Sequence, residues 1–196
     1  MKVGVVSDTH GFFDPALKEH LNGVDCIVHA GDVDSQEVLD ELAEIAPVHA
    51  VCGNVDPLTL DLPLSRKLRF EGAQIELQHI LPVPLSKLES ATPAIPAPLS
   101  YARKRESSPS AQRDSILKNF DSATRVVIFG HSHEPCLVAL ESVLFFNPGS
   151  AGKKRFSLPR CCGVLEISPP GIRGAILSLD GEQTSLPAEI WLPAMR

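Results

Sequence analysis

Seven residues whose side chains can bind metal ions follow short apolar segments of this sequence. The segments are rich in valine, isoleucine and leucine, which is typical of buried β-strands. The carboxyl ends of parallel strands share one edge of an α/β sheet, so residues that follow such strands are expected to lie close together. The seven residues are Asp8, His10, Asp32, Asn54, His79, His131 and His133.

Two of the motifs contain paired donors, Asp-x-His at 8–10 and His-x-His at 131–133. In an extended segment residues i and i+2 face the same way, so each pair is expected to aim at one point. Together with Asp32, Asn54 and His79 they provide more donors than the four ligands of a closed zinc site. The set suits two adjacent divalent ions that share a bridging carboxylate. Imidazole and carboxylate donors favour manganese, iron, zinc, cobalt or nickel over calcium.

Each motif taken alone also has a purely structural interpretation. An aspartate after a strand often caps a helix, and Gly31-Asp32 and Gly53-Asn54 could be ordinary turns. His79 could be a hydrogen-bonded strand histidine, and His29 is expected to pack in the core or to orient the loop of Asp32. The combination of all the motifs, in order and at strand ends, favours a metal site.

The composition indicates a globular chain without a membrane segment. The chain has 196 residues, 43% of them hydrophobic and 21% charged, with a formal net charge of −6. We expect one domain over residues 1–196. There is no apolar run of about 18 residues and no dense lysine or arginine cluster, so neither membrane insertion nor nucleic-acid binding is indicated. Five scattered cysteines form no disulfide framework, which favours a cytoplasmic location.

Strands and helices alternate in the first part of the sequence. Three apolar segments within residues 2–51 are separated by two predicted helices. The first helix begins behind a cap at Asp14 and ends near Leu21, and the second covers 35–46 behind a cap at Ser35. This alternation predicts parallel strands joined by crossover helices in an α/β fold.

The pattern changes in the second part of the sequence. Residues 82–110 hold six prolines and six serines, which predicts an irregular insertion. From residue 136 onward, apolar segments follow one another without helices, which predicts an antiparallel second sheet. The C-terminal segment around Trp191 either packs back on the domain or mediates association.

Six short motifs in a fixed order carry a family resemblance. As an ordered set they resemble the calcineurin-like metallophosphoesterases, and in particular the small prokaryotic-type phosphodiesterases. The resemblance runs from residue 3 to about 167, interrupted by the insertion, and implies a four-layer α/β/β/α sandwich of two mixed sheets flanked by helices. The motifs are Asp8-Thr9-His10, Gly31-Asp32, Gly53-Asn54-Val55-Asp56, His79, Gly130-His131-Ser132-His133 and Asn147-Pro148-Gly149-Ser150.

The resemblance also implies a role for each site residue. Asp32 would bridge two divalent ions, with manganese expected first and iron, zinc, nickel or cobalt as alternatives. A hydroxide between the ions would attack the phosphorus of a small phosphoester, and the amide of Asn54 would contact the phosphate, so Asp32 and Asn54 have catalytic roles. The implied ligands are Asp8, His10 and His133 for one ion and Asn54, His79 and His131 for the other.

Two departures from the family pattern bear on the substrate. Val55 stands where other branches have a histidine that is thought to protonate the leaving group. A general acid is worth about 10²–10⁴-fold, so its absence favours diesters with stable leaving groups. Ile80-Leu81 replaces the Gly-His pair common among relatives, and the insertion that follows could form a lid over the site.

Two other functions of the same fold stay open at the level of sequence. One is a phosphomonoesterase with the same metal chemistry. The other is a non-catalytic interaction module, because the retromer complex contains a subunit of similar fold that serves mainly as a scaffold. The sequence also leaves open whether the chain forms a homo-oligomer.

Overall fold

The computed structural model describes residues 1–84, 88, 110–155, 157–181 and 189–193, and the predicted insertion lies largely outside these ranges. The described helices are α1 (Ala16–His20), α2 (Gln36–Ala43) and α3 (Ser110–Leu117), with a 3₁₀ turn at Leu58–Leu60. The strands are β1 (Lys2–Val6), β2 (Cys26–His29), β3 (Val48–Ala50), β4 (Ser65–Phe70), β5 (Ala73–Gln78), β6 (Thr124–Ile128), β7 (Cys136–Leu140), β8 (Val143–Asn147), β9 (Cys161–Ser168), β10 (Gly171–Ser178) and β11 (Glu189–Pro193).

The strands form two mixed sheets. The first sheet has the order β11-β10-β9-β1-β2-β3, with β1, β2 and β3 parallel and β9 to β11 added antiparallel. The second sheet has the order β4-β5-β6-β8-β7, with β5, β6 and β8 parallel. The parallel strands of both sheets therefore end in loops that can carry a shared site.

The expectation that the C-terminal strands form one antiparallel sheet is wrong. β7 and β8 complete the second sheet, whereas β9 pairs with β1 and brings β10 and β11 into the first. Local sequence indicates a strand but not its partner, and β9 pairs with β1 on one side and with β10 on the other. The segment around Trp191 packs back on the domain as the edge strand β11.

The hydrophobic core has three parts that define four layers. A central cluster joins the facing sides of the two sheets and includes Val5 from β1 and Ile128 from β6. A second cluster packs α1 and α2 on the first sheet through Leu17 and Leu42. A third places Ile116 of α3 with Phe145 on the outer side of the second sheet. The α/β/β/α sandwich predicted from the family resemblance is confirmed.

The predicted helix starts are only partly as expected. The Asp14 carboxylate accepts the N–H of Ala16 at 2.9 Å, as a capping residue should. Ser35 has the extended backbone of a cap, but its hydroxyl makes no capping hydrogen bond. In the described part of the chain, no helix is both long and apolar enough to cross a bilayer.

Candidate metal centre

All seven residues singled out by the sequence lie at one end of the sandwich. The loops that carry them follow β1, β2 and β3 of the first sheet and β5 and β6 of the second. The prediction that all of these residues lie at the edge of one sheet is therefore wrong, because the edges of two sheets meet at the site. The residues form a closed series of contacts, in the order Asp8, His133, His10, Asp32, His79, Asn54, His131 and back to Asp8.

One half of the centre contains Asp8, His10 and His133. The Nε2 atoms of His10 and His133 are 3.2 Å apart, and His133 Nε2 is 3.3 Å from Asp8 Oδ1. Ligands about 2.1 Å from one ion lie about 3.0–3.4 Å apart at tetrahedral or octahedral angles. These three residues therefore have the spacing of a metal site, and their ligand atoms all lie within 4.8 Å of one another.

The other half contains Asn54, His79 and His131. Asn54 Oδ1 lies 3.0 Å from His79 Nε2 and 2.8 Å from His131 Nδ1. The two imidazole rings are nearly perpendicular, with centroids 5.2 Å apart. One amide oxygen and two ring nitrogens thus converge on a second point.

Asp32 lies between the two halves. Its Oδ1 is 3.3 Å from His79 Nε2, and its Oδ2 is 3.8 Å from His10 Nε2. Each carboxylate oxygen therefore faces a different half. Asp8 reaches the same region, since a donor atom of Asp8 lies within 4.8 Å of donors from both Asp32 and His79.

The expectation that His131 and His133 aim at one point is wrong. His131 contacts Asn54 in one half, whereas His133 contacts His10 in the other. The i, i+2 rule applies to extended backbone, but these residues have left-handed φ values of 70° and 58°. Asp8 and His10 also have positive φ, and their side chains nevertheless converge on one half.

The hydrogen bonds at the outer ring nitrogens fix which atoms face inward. His79 Nδ1 lies 2.7 Å from the carbonyl oxygen of Ala30, which can only accept, so Nδ1 carries the proton and Nε2 faces Asn54 and Asp32 with its lone pair. His10 Nδ1 likewise faces Asp34 Oδ2 at 3.3 Å, which leaves Nε2 for the interior. In their neutral forms, His79 and His10 therefore turn an unprotonated Nε2 toward the interior of the centre.

The charges in the centre also fit divalent cations. Within the described ranges, Asp8, Asp32 and Asp34 form ion pairs only with imidazoles and none with a lysine or arginine. Converging carboxylates and lone pairs repel one another unless a cation lies among them. Neutral imidazole with carboxylate suits transition metals such as manganese, iron or zinc.

Asp32 and His79 shift each other's pKa, because each one favours the charged form of the other. Burial disfavours the charged form of both groups, but their hydrogen bond and mutual attraction outweigh burial. The pKa of Asp32 is lowered and the pKa of His79 is raised. In the metal-free protein a proton on His79 can offset the Asp32 charge, and a metal ion would compete for the same place.

His29 holds two of the metal-centre loops together from beneath. It is fully buried, and its Nδ1 accepts the N–H of Gly31 at 3.2 Å. Its Nε2–H therefore donates to the hydroxyl of Thr9 at 3.0 Å. Burial lowers the pKa of His29 to about 4, so the ring stays neutral. The expectation that His29 supports the loop of Asp32 agrees with these contacts.

The Asn-Pro-Gly-Ser turn supports the centre from another side, which the sequence alone does not reveal. Asn147 Nδ2 donates to the carbonyl of Gly130 at 2.9 Å and to the hydroxyl of Ser132 at 3.1 Å. Ser150 donates to the carbonyl of Asp8 at 2.8 Å. Ser132 therefore anchors its loop to Asn147. The one sequence signal for this turn is its place in the motif series.

Gly130 is needed because the loops approach one another closely. A Cβ atom there would overlap Ser7 Oγ and lie 2.7 Å from Asp8 Oδ2. The next N–H, that of His131, lies 3.2 Å from both carboxylate oxygens of Asp8. The N–H of Val55 binds Asp32 Oδ1 in a similar way at 3.2 Å. Backbone donors thus orient both central carboxylates.

Comparisons with known proteins agree with this geometry. Residues 1–169 match the model of the calcineurin-like phosphoesterase superfamily domain. A probable metallophosphoesterase from Methanothermobacter thermautotrophicus is 29% identical over 196 residues, covering 97% of this chain and 91% of that protein. Another from Methanocaldococcus jannaschii is 30% identical over 168 residues, covering 82% of this chain and 71% of that protein.

Solved structures share the fold at lower identity. A predicted phosphoesterase from Streptococcus pneumoniae has a TM-score of 0.65 at 20% identity, with 97% of both chains covered. Vps29 from Entamoeba histolytica, in complex with zinc, has a TM-score of 0.66 at 20% identity, with 93% and 95% covered. An archaeal phosphodiesterase has a TM-score of 0.60 at 22% identity, with 90% and 100% covered. The chain therefore belongs to the calcineurin-like phosphoesterase superfamily and is by that membership a metal-dependent phosphoesterase.

Proposed function

We propose that the chain is a phosphodiesterase that hydrolyses a small phosphodiester with two divalent ions, manganese foremost. The observation that carries this proposal is the closed series of contacts among the seven donor residues. Their carboxylates and ring nitrogens face one another, and in the described part none of these carboxylates pairs with a lysine or arginine. Two ions bound there would lower the pKa of a water molecule and offset the charge on phosphoryl oxygens.

The residues divide between the two ions as their contacts suggest. We assign Asp32 to the position between the ions because its two oxygens face different halves. An aspartate that serves both ions contributes to the binding of each, so its replacement should lower activity more than the replacement of any other ligand. We assign Asp8, His10 and His133 to one ion and Asn54, His79 and His131 to the other.

Asn54 is suited to a second role with the substrate. Its Oδ1 faces the imidazoles of His79 and His131, so its NH₂ group is left to donate to a phosphoryl oxygen. The side chain is exposed, which gives a substrate access to it. We propose that Asn54 both binds metal and orients the phosphate.

The surroundings of the centre favour a diester over a monoester. Val55, which follows Asn54, cannot donate a proton, and 52% of its surface is exposed. The other described histidines are placed elsewhere: His29 is bonded at both nitrogens, His49 lies beside Phe70, and His20 lies near Lys2. With no further histidine placed to act as a general acid in the described part, we propose that diesters whose leaving groups need no proton react best.

The proposal is tested with the metal-free full chain and two chromogenic substrates. Bis(4-nitrophenyl) phosphate is compared with 4-nitrophenyl phosphate after addition of manganese, nickel or zinc. We expect turnover only with added metal, and a higher kcat/KM for the diester. A higher kcat/KM for the monoester would contradict the choice of substrate, and no turnover by folded, metal-loaded protein would contradict the enzyme.

A non-catalytic module is the second candidate, and the structural comparisons give it a specific basis. Vps29 from Chaetomium thermophilum has a TM-score of 0.66, similar to the phosphoesterases. Metal analysis combined with the assay separates the two. About two ions per chain with turnover supports the enzyme, whereas folded protein that binds metal without turnover, or binds none, supports the module.

The cellular setting is also a proposal. No disulfide joins any of the five cysteines, all of which lie in the described ranges, and this fits the reducing cytoplasm that we propose as the location of the chain. We propose a small phosphoester as its main partner.

A further inference from the structure

We propose that Asp34 and Asp56 are positioning residues that fasten the two halves of the metal centre to each other. Neither residue is among the seven donors assigned to the ions. This inference rests on the proposed binding of divalent ions and deepens it. It concerns how the chain holds its ligands before an ion arrives.

Asp34 orients one of the ligands directly. Its Oδ2 lies 3.3 Å from Nδ1 of His10, so it accepts the proton on the outer ring nitrogen. Nε2 of His10 then points to His133 at 3.2 Å. A carboxylate on the outer nitrogen fixes the ring orientation and raises the basicity of the nitrogen that binds metal.

The backbone of Asp34 explains why its side chain reaches His10. The residue has a left-handed φ of 68°, two residues after Asp32, which also has positive φ. Aspartate, asparagine and glycine tolerate this conformation best. The loop can therefore present Asp32 to the ions and Asp34 to His10.

Asp56 ties this loop to the loop that carries Asn54. Its Oδ1 accepts the N–H of Asp34 at 2.6 Å, and its Oδ2 accepts the N–H of Gly53 at 2.7 Å. One carboxylate therefore clamps the backbone next to Asn54 and the backbone of the residue that orients His10. A continuous path of hydrogen bonds runs from the Asn54 half of the centre to the His10 half.

The geometry predicts distinct effects for the two side chains. Loss of the Asp34 carboxylate should weaken metal binding about 10–100-fold, because His10 loses its orienting acceptor. Loss of one Asp56 acceptor should release the backbone on one side of the clamp, and we expect binding at least about 10-fold weaker. Neither change removes an atom that contacts an ion.

The test measures manganese binding to the metal-free full chain by calorimetric titration, with the visible spectrum of bound cobalt as a report on ligand geometry. Asp34→Gly removes the carboxylate without straining the left-handed backbone, and Asp34→Asn keeps an oxygen that accepts from His10. We expect Asp34→Gly to bind manganese 10–100-fold more weakly with an altered cobalt spectrum, and Asp34→Asn to recover most of the affinity.

Asp25→Ala is the matched control. Asp25 also accepts a backbone N–H, that of Lys2, but lies at the opposite end of the strands. We expect it to bind manganese as the wild type does. Equal loss in Asp25→Ala and Asp34→Gly would show a general stability effect and overturn the positioning role.

Other outcomes also decide the matter. Wild-type affinity in Asp34→Gly would overturn the role of Asp34, and so would equally weak binding by Asp34→Asn. If Asp34→Gly does not fold, Asp56→Asn serves instead, and its unchanged affinity would overturn the clamp. Failure of the wild type to bind any manganese would instead contradict the proposed function.

Discussion

Two clusters of aspartates lie at the same end of the sandwich, and they differ in the positive partner that balances their negative charge. In the first, Arg160 lies between Asp14 and Asp180, with its Nε 2.7 Å from Asp180 Oδ1 and its Nη1 bonded to Asp14. In the second, Asp8 and Asp32 have only imidazoles as ionic partners in the described part. One cluster contains its own cation, and the other is left to bind one from solution.

The difference separates a structural cluster from a functional one. Arg160 joins the start of β9 to the loop after β10 and to the region before α1, so its charge is used to hold elements together. The candidate metal centre has no lysine or arginine of this kind in the described part, and its carboxylates face imidazoles only.

The largest expected effect comes from removing the central negative charge. Asp32→Asn keeps an oxygen for the N–H of Val55 and tolerates the left-handed backbone, but it gives up the charge that we propose two ions share. We expect kcat/KM to fall by about 10³-fold or more, since several kcal/mol of electrostatic stabilisation are lost. Steady-state kinetics and elemental analysis measure the loss of activity and metal.

Asp180→Asn provides the comparison in the other cluster. It should lower the free energy of unfolding but leave about two metal ions per chain. A near-normal rate and metal content in Asp32→Asn would show that Asp32 does not serve both ions.

A smaller effect, on stability rather than on activity, is expected when Arg160 is removed from between Asp14 and Asp180. Arg160→Ala leaves Asp14 without an ionic partner in the described part and Asp180 with only the exposed Lys154, so we expect the free energy of unfolding at pH 7 to fall by about 2–3 kcal/mol. Urea unfolding of the metal-free protein measures the change.

The difference in the free energy of unfolding between wild type and Arg160→Ala should depend on pH. Burial disfavours ionisation of Asp180, but the hydrogen bond and charge of Arg160 outweigh it and lower the pKa of that carboxyl. A lowered folded-state pKa stabilises the fold above the unfolded value of about 3.9, and the stabilisation is lost as the pH falls through the folded value. The gap between wild type and Arg160→Ala should therefore narrow below about pH 4. A gap that stays constant from pH 7 to pH 3 would contradict the ionic explanation.

The smallest effect is expected at the rim of the structural cluster. Lys154 Nζ lies 3.6 Å from Asp180 Oδ2, but the lysine side chain is 59% exposed. Surface pairs of this kind contribute about 0–1 kcal/mol, so Lys154→Ala should change the free energy of unfolding by less than about 0.5 kcal/mol. A loss as large as that of Arg160→Ala would mean that Lys154, not Arg160, holds the cluster.

Much of the site could be predicted because strand ends are visible in the sequence. The apolar segment before Asp8 is β1, and the segments before Asp32 and Asn54 contain β2 and β3. The ends of parallel strands in one sheet lie at one edge, so the pattern accounts for the convergence of Asp8, Asp32 and Asn54, which follow strands of the first sheet. Partner choice was less predictable, since the pattern of β9 does not show that it pairs with β1.

The direction of individual side chains could not be predicted by the same rule. His131 contacts Asn54 and His133 contacts His10, in different halves of the centre, because each has a left-handed backbone. That backbone conformation is not predictable from the sequence. Asp34 and Asp56 are ordinary loop aspartates in the sequence, and their clamp depends on contacts between residues 22 positions apart.

The sequence by itself determined which atoms could bind metal and at which strand ends they stand, because residue type fixes the donor and apolar periodicity fixes the strand. Only the tertiary structure decided how the donors divide between two positions and which aspartates are balanced by Arg160. Those outcomes depend on loops from two different sheets meeting at one place, and such long-range contacts are set by packing rather than by local pattern.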